Sequence, residues 1–78
     1  MDATYLQERI TKTKALIEAY EDAILAISSG GVQAYQLDTG QSVQNVTKIN
    51  LSTFHKALDG LYNRLATLEA RRNGTGVL

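Results

Sequence analysis

The sequence predicts an α+β domain in which two antiparallel amphipathic helices flank a short β-hairpin, in the order α-β-β-α. Three observations lead there. Leu6, Ile10, Thr13, Ile17, Tyr20, Ile24 and Ile27 recur at alternating steps of four and three. Leu51, Phe54, Leu58, Leu61, Leu65 and Leu68 repeat the same spacing near the other end. Between them the period breaks into two short extended-type runs punctuated by Gly30-Gly31 and Asp38-Thr39-Gly40. A 3.5-residue spacing puts each apolar set on one stripe of a helix, whereas β-branched and aromatic residues around glycine turns favour strands.

The first helix is expected over about residues 3–28, roughly 39 Å at ~1.5 Å per residue. Tyr5, Leu16, Ala23 and Leu25 widen its stripe beyond a strict coiled-coil seam. Its other face carries Glu8, Arg9, Lys12, Lys14, Glu18, Glu21 and Asp22, with Glu8–Lys12 and Lys14–Glu18 spaced for i,i+4 pairs. Asp2 or Thr4 suits the N-cap, and Ser28-Ser29-Gly30-Gly31 stops the helix with glycine in a left-handed cap.

The hairpin is expected within about residues 32–47. Read as a three-residue loop with glycine last, Asp38-Thr39-Gly40 gives a type I turn with a G1 bulge. That register pairs Tyr35 with Val43 on one face and Val32 with Val46 on the other, neither of them cleanly apolar. An isolated hairpin is marginal in water, so this one must lean on the helices or on another chain.

Asn50 is placed to cap the second helix, over about residues 51–72, with Arg71 and Arg72 in its last turn, where cations complement the dipole. Gly60 interrupts it, either admitting a close neighbour or being tolerated at about 1 kcal/mol relative to alanine. Residues 74–78 read as a flexible tail, and the whole of 1–78 as a single domain.

Composition narrows the function. The 78 residues contain no cysteine and one histidine, so a disulfide framework, a thiolate metal site and a cysteine nucleophile are all excluded. Eight basic and eight acidic residues cancel, against a nucleic-acid binder that relies on overall charge. The chain is expected to be non-enzymatic, with no catalytic residues, no cofactor and no metal. His55 sits one helical turn before Asp59 and reads as a surface pair, and the Asp38-Thr39-Gly40 tripeptide reads as a turn. The N-terminus opens with Asp2 where a secretory signal carries positive charge, and the longest apolar run, Ala23 to Ile27, is far short of a membrane span. No membrane partner and no secretion are expected. Residues 1–38 hold six acids and three bases, residues 39–78 two acids and five bases. Such an imbalance either neutralises within an antiparallel helix pair or steers head-to-tail contacts between copies.

From Ser29 onward the chain resembles the small W-type head–tail joining proteins of tailed bacteriophages and prophages. The residues that carry the resemblance are Gly30-Gly31-Val32, Tyr35-Gln36-Leu37-Asp38-Thr39-Gly40-Gln41 and Val46-Thr47-Lys48-Ile49-Asn50-Leu51. They lead into Leu58, Leu61, Arg64, Leu65, Leu68, Glu69 and Arg71. The resemblance spans roughly 45 residues; the first helix matches only as an amphipathic pattern, is longer than in those proteins, and the C-terminal tail is short. It implies an α-β-β-α fold without enzymatic activity, in a ring that completes the head at the portal vertex for tail attachment. The partners implied are other copies of the chain and portal, head and tail proteins, in the virion or the bacterial cytoplasm. Tyr35, Gln36, Leu37, Gln41 and Val43 are the candidate hairpin contacts. Arg64, Arg71 and Arg72 are candidates for salt-sensitive contacts, including with DNA in a channel. The competing reading is a small helical adaptor or regulator that dimerises by burying its stripes in a four-helix bundle.

Overall fold

A computed structural model describes residues 3–73. Its elements run α1 (Ala3–Ser28), β1 (Ala34–Asp38), β2 (Val43–Thr47) and α2 (Leu51–Asn73). The α-β-β-α order and the α+β class are therefore as expected. Asp2 and the tail at 74–78 lie outside the described residues.

α1 buries Leu6, Ile10, Thr13, Ile17, Ala23, Ile24 and Ile27, nearly the whole of its predicted stripe. Thr13 tolerates burial because its hydroxyl donates to the Arg9 carbonyl at 2.7 Å. The helix ends where Gly30 takes φ +78°, the left-handed cap that the Gly-Gly pair announces. α2 runs antiparallel to α1, as the cross-helix pairs Lys14–Glu69 (3.7 Å) and Arg72–Gln7 (3.0 Å) require. Its stripe is less well covered: only Phe54 and Leu68 are buried, while Leu51, Leu58, Leu61 and Leu65 are partly buried.

The core consequently has two centres. One joins Ala23, Ile24, Ile27, Leu37, Val46 and Phe54 beneath the hairpin, with the Tyr20 and Phe54 rings tilted at 51° and 5.9 Å apart. The other, at the far end, is only Leu6, Ile10 and Leu68, flanked by Leu65. The molecule is long and thin, 45 × 22 × 15 Å, with a radius of gyration of 14.6 Å against about 11.5 Å for a compact chain of this length. Its accessible surface of 5473 Å² likewise exceeds the roughly 4,700 Å² of a compact monomer of this mass.

The hairpin forms, but in a different register. Tyr35 pairs with Val46, Gln36 with Asn45, Leu37 with Gln44 and Asp38 with Val43. The Tyr35–Val43 and Val32–Val46 pairs expected from a three-residue loop are not made. Instead the loop is Gly40-Gln41, closed by the Thr39 N–H donating to the Ser42 carbonyl at 3.0 Å. Gly40 takes φ +84° and no non-glycine residue among those described has positive φ, so the first loop position alone is left-handed, the pattern of a type II′ turn. Asp38 Oδ1 accepts from the Gly40 N–H at 2.8 Å, and the Thr39 hydroxyl accepts from the Gln41 and Ser42 N–H groups at 3.4 and 3.2 Å. The odd-numbered shift turns β2 over, so that Val46 joins Leu37 in the core and Val43 faces out. Packing both apolar residues on one side decides the register.

A side chain at Gly40 would meet nothing within 4 Å, so its replacement costs backbone strain alone. Gly40→Val is expected to lose about 1–2 kcal/mol, with the change in amide chemical shifts concentrated between Asp38 and Val43. Gly60 is the opposite case. It lies inside α2 and a Cβ there would also meet nothing, so no close neighbour explains it. Gly60→Ala should stabilise the protein by about 0.5–1 kcal/mol in urea denaturation.

Asn50 stands at the expected helix start, its carbonyl accepting from the Thr53 and Phe54 N–H groups at 3.1 and 3.4 Å. Its side chain turns backward instead of capping. Oδ1 accepts from the Thr47 N–H (2.7 Å) and hydroxyl (3.3 Å), and Nδ2 donates to the Asn45 carbonyl (2.9 Å). One amide thus ties the end of β2 to the start of α2.

Candidate interaction surfaces

Among the described residues no group of three or more His, Cys, Asp or Glu could hold a metal, and no helix is long and apolar enough to cross a membrane. What the fold builds is surface, in three regions.

The first is the outer face of the hairpin. Gln36, Asp38, Val43 and Asn45 are exposed on it, Val43 to 55%. Tyr35 and Leu37 point the other way. Tyr35 is half-buried against the core, and Leu37, at 1% exposure, lies inside it. Leu37 is therefore a core residue and not a contact residue. Alternation along a strand sends neighbours to opposite faces, so Tyr35-Gln36-Leu37 could never have docked as one surface.

The second region is a basic flank. Tyr5 and Arg9 on α1 line one groove with Asn63, Arg64, Thr67 and Arg71 on α2. Arg9 and Arg64 continue into a neighbouring groove of about 660 Å³ that also includes Lys12, Leu16 and the hairpin tip from Asp38 to Ser42. Two candidate residues from different elements, Gln41 and Arg64, thereby meet around one depression. Asp38 is the acid there, and its carboxylate is already engaged by the Gly40 N–H. None of Arg9, Lys12, Arg64 and Arg71 is ion-paired among the described residues. Arg72 lies apart from this set: its guanidinium donates to the neutral amide oxygen of Gln7, which projects from α1 in the direction of Leu25. Arg9 and Lys12 were not candidates in the sequence, since their nearness to Arg64 depends on how the helices pair.

The third region is the opposite flank of the helix pair. At 100° per residue, Glu18, Glu21 and Leu25 project from α1 about half a turn away from Tyr5, Arg9 and Lys12. On α2, Asp59 and Tyr62 are similarly opposed to Arg64 and Arg71. The Tyr62 hydroxyl donates to Glu21 Oε2, stitching the two helices along this side. That hydrogen bond first, then loss of solvent, then the negative charges of Glu21 and Asp59, raise the Tyr62 phenol above its ordinary 10.0. The sign follows. A phenol whose folded value is raised contributes stability that is complete below the unfolded value and is lost as pH climbs through the folded one. Glu21→Gln should therefore bring the Tyr62 midpoint, followed by NMR, back toward 10.0. A Tyr62 midpoint unmoved by Glu21→Gln would refute the assigned hydrogen bond.

Comparison with family models, with curated proteins and with solved structures returned no match.

Proposed function

We propose that the protein is a non-enzymatic head–tail joining component of a tailed phage or prophage, acting through self-association and contacts with portal, head or tail proteins. The observation that supports this reading is the shape of the fold. A short hairpin set between two antiparallel helices is the architecture that the W-type resemblance implies. The thin body and the surface in excess of a compact monomer suit a subunit that completes its burial against neighbours. The mechanism is geometric: the helix pair supplies rigidity, while the hairpin face and the charged flanks supply contacts. Such a subunit works in the virion or the bacterial cytoplasm, where its basic flank can also lie near DNA.

Deletion of the gene in the source phage or prophage tests this directly. Electron microscopy should find filled heads and free tails that fail to join, and the protein supplied in trans should restore infectivity. Normal infectious particles from the deletion would overturn the reading. The partly buried row of Leu58, Leu61 and Leu65 favours the competing adaptor, because a four-helix dimer would cover what remains open of it. Native mass measurement separates the two: a dimer that never grows larger in the presence of its partners indicates the adaptor.

A further inference from the structure

The two flanks differ in sign, lie on opposite sides of one helix pair, and are both left unneutralised. Among the described residues, Arg9, Lys12, Arg64 and Arg71 carry no ion pair on one side. Glu18, Glu21 and Asp59 carry none on the other among the described residues, and Lys14 there is already held by Glu69. Each flank also exposes an aromatic: Tyr5 at 49% on the basic side, Tyr62 at 44% on the acidic side, the latter with Leu25 at 67%. Amphipathic aromatics bordered by charge are the usual anchors of protein interfaces.

We propose that these flanks dock on each other between copies, the basic side of one protomer against the acidic side of the next. Charge complementarity identifies the occupant as a second copy. A two-fold contact that laid either flank on itself would set like charge against like, which costs several kcal/mol. Joining unlike flanks leaves one free flank at each end of the pair, so the contact repeats. Heterologous contacts of this kind close into rings or run on as filaments. The net charge of zero lets such a series grow without accumulating repulsion. The neutral total and the absence of a basic recognition helix disfavour nucleic acid as the occupant. The contact deepens the connector reading by naming its self-association surface, and it rests on that reading only for the place where the ring is used.

Charge exchange tests it. Lys12→Glu with Arg64→Glu and Arg71→Glu makes both flanks acidic, and Glu18→Lys with Asp59→Lys makes both basic; all five positions are exposed, and the Tyr62–Glu21 bond is kept. The proteins are compared by sedimentation at low salt, after circular dichroism has verified equal helicity. The parent should associate, and more weakly as salt rises. Each variant alone should lose roughly a hundredfold or more in association constant, and an equimolar mixture of the two should recover it. A parent that stays monomeric at low salt, variants that associate like the parent, or a mixture that fails to recover would each overturn the proposal. Binding of a DNA duplex by a parent that does not self-associate would reassign the basic flank to nucleic acid and overturn it too. Recovery in the mixture, combined with a deletion phage that assembles normally, would keep the contact and reject the connector.

Discussion

Leu37→Asp is expected to unfold the protein, whereas Gln36→Asp, one residue earlier, should leave it intact. Leu37 is 1% exposed within the cluster formed by Ile24, Ile27, Val46 and Phe54, and no polar group among them can meet a carboxylate. Truncating a buried leucine alone costs about 2–5 kcal/mol, and an unpaired carboxylate adds a desolvation penalty of several more. A domain of this length holds on the order of 5 kcal/mol in total, so the loss exceeds what there is to lose. Gln36 faces solvent across from Asn45, where a charge is hydrated. Circular dichroism at neutral pH reads the outcome. A helical Leu37→Asp with a cooperative melt like the parent's would mean that the hairpin faces the other way.

That contrast also marks where the sequence stops being legible. The helices are readable to within a residue, since each stripe runs for five or more turns and each first helix end has a glycine or polar stop. The hairpin is readable as an element but not in register. A left-handed glycine can close a three-residue loop or open a two-residue one, and Asp38-Thr39-Gly40-Gln41 satisfies both patterns. The choice is made by tertiary packing, which places Val46 beside Leu37, a contact that local pattern cannot express. Asn50 shows the same limit. Its position before the helix is legible, but whether its amide caps forward or ties backward depends on where β2 ends.

The basic flank was hidden for a related reason. Counted along the chain, charge divides into an acidic first half and a basic second half, and antiparallel packing would be expected to cancel them. Yet Arg9 and Lys12 belong to the acidic half and sit on the side of Arg64. Neutralisation between the helices is confined to Lys14–Glu69 among the described residues, so the charges separate by side of the pair rather than by half of the sequence. Periodicity also overstates the core. The six-residue stripe of α2 gives Leu61 and Phe54 equal standing, but the hairpin covers only one end of the helix and α1 covers the other end thinly.

Phe54→Ala should therefore be far more damaging than its place in that stripe suggests. Phe54 is the fully buried residue through which α2 enters the main cluster, with Tyr20 against its ring and Ile27, Leu37 and Val46 around it. Removing a buried phenylalanine costs about 3–5 kcal/mol, comparable to the entire stability of so small a domain. The cavity opens beneath the hairpin, whose remaining apolar support is Ala23, Ile24 and Ile27 of α1. Hydrogen exchange should then show β1 and β2 losing protection along with the first turns of α2. Leu68→Ala provides the comparison, because Leu68 belongs to the smaller cluster with Leu6 and Ile10. Its loss should fray the paired helix ends and leave hairpin protection in place, since the two centres share no buried residue. Equal loss of hairpin protection in both variants would mean that the core is one cooperative unit and not two.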